Sequence, residues 1–268
     1  MSHSLSLAAL TILDAGPAGQ IRAAAEAGWR SVGLRLMPLL ASDAAVVGNT
    51  SAEREIVALL ADTNMAVLEI GVFPVKPAMD WALIEAVCAF SGRIGANQIV
   101  CPVEDPDRGR RTASLQRLAD CAARHDLWAL VEFNPYSACK SLTEALDLVA
   151  AARHPNVALV IDVLHLSRSG GHPDHLRSVD PALLQLVHLC DAPLPPSRQR
   201  LVDELRAESR SARLLPGEGA LWLDRLLAVL PPHTRLSIEA PCARDAQLPA
   251  AERARRALVA TERLLART

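Results

Sequence analysis

Short apolar runs and longer amphipathic segments alternate eight times along these 268 residues, with no composition break or low-complexity linker between them. The apolar runs are rich in Val, Ile and Leu and nearly continuous, as befits strands of a parallel sheet covered on both faces. Neither a GxGxxG fingerprint nor a GxxxxGK[ST] phosphate loop occurs, which weighs against a nucleotide-binding open sheet. Together these observations predict an α/β fold, a single (β/α)8 TIM barrel over residues 1–268; such barrels commonly run near ~250 residues.

The first strand is expected near 5–13 (LSLAALTIL). PAGQIRAAAEAG, 17–28, follows as a helix, with Pro17 early and Gly28 as its stop. SVGLRL, 31–36, is the second strand, and TSAEREIVALLADT, 50–63, is a helix opened by a Thr/Ser cap. MAVLEIGVF (65–73), NQIVCPV (97–103) and LWALVEFNP (127–135) are strands three to five. The helices between and after them are DWALIEAVCAFSGRIG, TASLQRLADCAARHD and SLTEALDLVAAARH. NVALVIDVLHL, 156–166, is strand six, with a short helix near 174–184 after it. LLQLVHLCDAP, 183–193, is strand seven, and 195–219 is a long loop with a charged, helix-compatible middle. ALWLDRLLAVL is a helix, RLSIEAP (235–241) strand eight, and AAERARRALVATERLLA the last helix.

Net charge is −2 and the 28 basic residues are scattered, so no electrostatic footprint for nucleic acid is present. No apolar run approaches the ~20 residues needed to span a bilayer. The N-terminal stretch has no basic region before its apolar run and carries Asp14, so it reads as a strand and not a signal peptide, and a cytoplasmic location is expected. The six cysteines form no CxxC pair and are expected to be reduced core residues.

The polar residues fall where barrel chemistry is done, at the C-terminal ends of strands. Strand five ends in LVEFNP with Glu132, and strand six in VIDVLHL with Asp162 and then His165. Strand seven ends in LVHLCDAP with His188 and Asp191, and strand eight in LSIEAP with Glu239. Charges are rarely buried unless paired or bound to a metal. Any one of these residues alone reads as readily as a paired core group, and Asp191 as a turn cap; the set on one rim points to a site. Glu132, Asp162, His188 and Glu239 offer mixed carboxylate and imidazole donors for one divalent ion, with Mn foremost and Mg, Co or Zn as alternatives. Such an ion can polarise the carbonyl of a hydroxyketone, and a flanking glutamate can remove or return a proton. Arg35 ends strand two, Glu69 lies within strand three and Arg168 follows His165. Each either faces substrate or belongs to a buried ion pair.

LVEFNP, VIDVLHLSRSGG, VHLCDAP, RLLPGEGALWL and LSIEAP, in this order, resemble the xylose isomerase-like TIM-barrel superfamily of sugar phosphate isomerases and epimerases. That resemblance implies Glu132, Asp162, His188 and Glu239 as metal ligands, with Glu132 and Glu239 also exchanging protons with substrate. It implies His165 as a substrate-binding residue, and places Arg213 and the PGEG turn, Pro216 to Gly219, in a substrate-facing loop after strand seven. Two departures stand out. The first arginine after His188 is Arg198, farther along than in ketose 3-epimerases, and strands two to four carry no histidine for an endonuclease IV-like cluster.

The expected activity is isomerisation or epimerisation of a small polyhydroxylated ketone, sugar or keto acid, by Glu-mediated proton transfer through a metal-stabilised enediolate. The alternatives are a lyase of inosose-dehydratase type on the same site and a non-catalytic sugar-binding subunit. The partner expected is a small carbohydrate-like molecule, not nucleic acid or membrane, and the superfamily resemblance is compatible with a homo-oligomer.

Overall fold

The computed structural model describes residues 3–39, 45–194 and 200–267. Eight parallel strands, β1 Leu5–Leu7, β2 Ser31–Arg35, β3 Ala66–Gly71, β4 Gln98–Pro102, β5 Trp128–Glu132, β6 Val157–Asp162, β7 Leu184–Leu189 and β8 Arg235–Ile238, close into a barrel in sequence order. The ring shuts where Leu7 of β1 pairs with Ile238 of β8. The helices around it are α1 Gly16–Ala27, α2 Thr50–Thr63, α3 Trp81–Arg93, α4 Arg108–Ala123, α5 Leu142–Ala152, α6 Val163–Arg168, α7 Val202–Ser211, α8 Leu223–Val229 and α9 Ala250–Leu265. This is the predicted (β/α)8 barrel.

Apolar side chains divide between two cores. The larger lies between strands and helices and includes Ile56, Val87, Leu118, Leu148, Leu226 and Leu264. The smaller fills the barrel itself with Leu68, Val100, Leu130, Ala158, Val160 and Leu186. Strand side chains alternate faces with a period of two. Glu132, Asp162 and His188 therefore follow Leu130, Val160 and Leu186 on the inner face and sit one step nearer the C-terminal mouth.

Local chemistry moved several boundaries. The first strand stops at Leu7, and residues expected to continue it to 13 form a 3-10 turn, Ala9–Ala15. The cause is Thr11, whose hydroxyl donates to the Ile238 carbonyl at 2.7 Å and accepts from Ala240 N at 3.0 Å, tying the turn across the end of β8. Helix α4 starts at Arg108, ahead of the expected Thr112, because Asp107 caps it through Arg110 N at 2.7 Å. Strand β6 ends at Asp162 and not at 166: the Asp162 carboxylate accepts from His165 N at 2.9 Å and so opens α6. The helix expected near 174–184 is two 3-10 turns, Pro173–Ser178 and Pro181–Leu183, because Pro181 lacks the N–H a continuous helix needs. In the long loop, the charged middle is α7; residues 195–199, with Arg198, lie outside the described residues. All six cysteines are free thiols, and among the described residues no helix is long and apolar enough to cross a membrane.

Candidate metal centre

Strand register builds the site. Asp162 on β6 pairs with His188 on β7, and His188 pairs with Ser237 on β8, two residues before Glu239. Glu132, the last residue of β5, pairs with Val160, two before Asp162. The four ligand atoms of Glu132, Asp162, His188 and Glu239 lie within 4.8 Å of one another, and all four residues are buried.

His188 lies at the focus of this cluster. Its Nδ1 is 3.4 Å from Glu132 Oε1 and 3.4 Å from Glu239 Oε2, yet has no hydrogen-bond partner among the described residues. Its other nitrogen, Nε2, meets Glu69 Oε2 at 2.9 Å. A carboxylate only accepts, so Nε2 carries the proton on that side. The Nδ1 edge thus looks into negative charge and is a place for a cation. Burial opposes an imidazolium there, but the Glu239 and Glu69 carboxylates outweigh it and hold the His188 pKa well above the ordinary value. Glu239 moves the opposite way: burial raises its pKa, but the neighbouring His188 and Arg213 pull it far below the carboxylate range.

Arg213 is a fully buried guanidinium behind the ligands. Nη1 donates to Asp162 Oδ2 at 2.6 Å and to the Glu239 carbonyl at 3.1 Å, and Nη2 lies 3.2 Å from Glu239 Oε2. Its Nε donates to the Ser209 carbonyl at 2.7 Å, and Nη2 to Ser209 Oγ at 3.2 Å. The superfamily resemblance had placed Arg213 toward substrate; here its donors are spent holding two candidate ligands and α7. Cys190 touches the same guanidinium, but burial pushes its thiol up to about 12, so it stays protonated and the donor set is oxygen and nitrogen.

The remaining predicted residues divide. His165 is buried and 3.9 Å from Asp162 Oδ2, with its ring edge-on to Tyr136 at 5.5 Å. Arg35 lines the same small mouth pocket as Glu69, His188 and Glu239. Arg168 turns away into an ion pair, donating to both Glu208 oxygens at 2.9 and 2.8 Å and to the Pro193 carbonyl at 2.8 Å. Arg200 grips the same carboxylate. Asp191 organises the loop after β7, accepting from Ala192 N, Leu221 N and Gly217 N at 2.8, 3.0 and 3.1 Å. Gly219 of the PGEG turn packs on this knot: a Cβ there would stand 2.4 Å from Asp191 Oδ1 and 2.5 Å from the Ala192 carbonyl. Its close approach is to the chain's own backbone.

Sequence reasoning missed Tyr136, Ser209, Ser237 and Glu208. Tyr136 hydroxyl donates to Ser209 Oγ at 2.8 Å, and burial raises its pKa to about 12. Ser237 was within reach of the two-residue period, since it precedes Glu239 by one step on the same face. Tyr136 is the chain's single tyrosine, next to the Glu132 segment, which was a signal of its own.

The donor set suits a divalent ion. Three carboxylates and a Nδ1 aimed between two of them can hold one, with Glu69 in contact with the far side of the imidazole. A family model described as xylose isomerase-like TIM barrel matches residues 21–262. The chain belongs to this family.

Its family relatives carry names of isomerases, epimerases and dehydratases. An inosose isomerase from Halalkalibacterium halodurans is 27% identical over 118 residues, 43% of this chain and 39% of the relative. A 3-dehydroshikimate dehydratase from Bacillus anthracis is 23% identical over 94 residues, 35% of this chain and 32% of the relative. The matched stretches thus span about two fifths or less of those curated relatives. A solved structure of an IOLI protein with a bound zinc atom is 19% identical, covers 98% of each chain and superposes with a TM-score of 0.79. A D-allulose 3-epimerase from Methylomonas sp. is 16% identical, covers 98% of this chain and 100% of its own, and has a TM-score of 0.68. At these identities the structures show the shared barrel.

Proposed function

We propose that this chain is a divalent-metal-dependent isomerase or epimerase of a small polyhydroxylated ketone. The observation that carries the reading is the convergence on one point at the barrel mouth of Glu132, Asp162, Glu239 and His188 Nδ1, an atom with no hydrogen-bond partner among the described residues. When bound there, a divalent ion supplies Lewis-acid polarisation of a carbonyl and acidifies the neighbouring C–H or O–H; manganese is the first choice for an oxygen-rich donor set, with magnesium, cobalt and zinc next.

The chain's own groups do the rest. Glu132 after β5 and Glu239 after β8 flank Asp162 and His188 on the rim and are the two carboxylates placed to take and return a proton at substrate carbon. Burial opposes charge on Glu239, but the neighbouring His188 and Arg213 hold its carboxylate in the ionised form. His165, at the start of α6 beside Asp162, offers its ring to a substrate hydroxyl, and Tyr136 closes the site beside it. Arg35 reaches the same mouth from β2.

A lyase on the same site is the second reading, favoured by the likeness to a 3-dehydroshikimate dehydratase. Both begin with proton abstraction beside a carbonyl; they part on whether a β-leaving group departs. One experiment separates them. Manganese-loaded protein is incubated in deuterated water with a keto-inositol, a free ketose and 3-dehydroshikimate, followed by NMR and mass spectrometry. An isomerase or epimerase gives an isomer carrying solvent deuterium. A dehydratase gives a product lighter by one water. No deuterium exchange with any ketone or keto acid contradicts both.

A further inference from the structure

We infer that Glu69 is a positioning residue that fixes His188 with Nε2–H pointing away from the mouth, and so presents Nδ1 to the divalent ion; this deepens the metal reading above and rests on it.

Glu69 should not face the barrel by strand alternation. Val67 packs outward into the larger core and Leu68 inward, so strict alternation would leave Glu69 facing out and Ile70 in, yet Ile70 packs outward. Strand register explains the exception. Val32 pairs with Val67, but Leu34 pairs with Ile70, so β3 spends one more residue than β2 over this interval. That is a β-bulge, and such bulges re-aim a side chain. Here two consecutive residues, Leu68 and Glu69, both turn inward.

The space for it is built on three sides. Gly33 lies opposite the bulge on β2, where a Cβ would stand 2.8 Å from Glu69 Oε1 and 2.9 Å from its Cγ. Ser237 on β8 donates to Oε1 at 2.6 Å, fixing the carboxylate's rotation. Oε2 is then left for His188 Nε2 at 2.9 Å. Glu69 is 2% exposed and His188 2% exposed, so water does not compete for either contact. A bulge, a glycine and a serine thus place one carboxylate behind the imidazole. A substrate-binding role, the other sequence reading of Glu69, would leave these oxygens free for ligand; both are occupied.

The test uses zinc, which is diamagnetic, and the full chain. Zinc affinity is measured by competition with a chromophoric chelator for wild type, Glu69→Ala, Glu69→Gln, Ser237→Ala and Gly33→Ala. The His188 Nε2–H resonance is followed by nitrogen-15 NMR in the zinc-loaded proteins, and melting curves check the fold. Glu69→Ala is expected to weaken zinc binding about 10–100-fold and to shift or broaden that resonance. Glu69→Gln keeps a neutral acceptor and should fall between the two. Gly33→Ala, which retains the carboxylate but crowds it, should weaken binding as well, so the inference survives a Glu69→Ala variant that fails to fold. Folded Glu69 variants that bind zinc within about twofold of wild type, with Nε2–H unmoved, overturn the positioning role alone. Wild-type protein that takes up no zinc or other divalent ion overturns the metal reading, and this assignment with it.

Discussion

Two buried charge clusters sit at the barrel's C-terminal end and are built on opposite principles. In the clamp beneath α7, one carboxylate, Glu208, meets two guanidiniums, Arg168 and Arg200, and both its oxygens are taken. In the mouth cluster, Glu132, Asp162 and Glu239 converge on one imidazole edge with Arg213 behind them. The clamp has more positive than negative charge, and its two guanidiniums meet on Glu208 itself, so among the described residues it aims no set of ligand atoms at a shared open point. The mouth has more negative than positive charge, and its atoms share a focus. Buried charge by itself therefore marks no ligand site. Sign imbalance combined with convergence does.

The contrast predicts different failures. The largest effect is expected on catalysis from the mouth. Glu239→Gln should cut turnover of the identified substrate by about 10²–10⁴-fold, the usual worth of a proton-transferring group, while the metal-free protein melts lower, because His188 and Arg213 lose the anion they pair with. Unchanged kinetics would remove Glu239 from the chemistry. The reverse pattern belongs to the clamp. Glu208→Ala strands Arg168, whose side chain is 3% exposed, and breaking a buried pair this way costs about 3–5 kcal/mol; chemical denaturation should show that loss while metal content per folded chain stays level.

A smaller effect is expected from the ion itself. Removing it with a chelator should lower wild-type stability by about 2.7 kcal/mol if the ion had been present at a hundred times its dissociation constant. The Glu208→Ala protein should show the same decrement, and His188→Ala almost none; equal decrements in all three proteins would dissolve the distinction between the clusters. The smallest is a pH effect. Burial raises the Glu208 pKa, but its bonds to Arg168 and Arg200 prevail and hold it below the usual value. A depressed folded pKa adds stability above the unfolded carboxylate pKa and loses it as pH falls through the folded one. Wild type minus Glu208→Gln should therefore show a stability difference that shrinks on acidification below about pH 4.5, measured by urea midpoints.

The mouth was legible in the sequence because each of its polar residues interrupts an apolar strand at its C-terminal end, and the period of two then tells which face it occupies. The clamp was not. Glu208 in ELRAESR reads as any solvated helical face, and nothing local says that Arg168, 40 positions upstream, comes to meet it. Glu69 was visible as a charge inside a strand, but its direction depends on an extra residue in β3 that appears only in the pairing with β2. Strand ends at Leu7 and Asp162 were overrun for a shared reason: side-chain oxygens of Thr11 and Asp162 capture backbone groups, and an apolar run conceals that competition.

The most direct test of the account is metal content by elemental mass spectrometry, on protein purified without added metal and then titrated with manganese, cobalt, magnesium and zinc. About one tightly held ion per chain is expected, lost in Glu132→Ala and retained in Glu208→Ala. No specific uptake of any of these ions, or equal uptake by both variants, would contradict it.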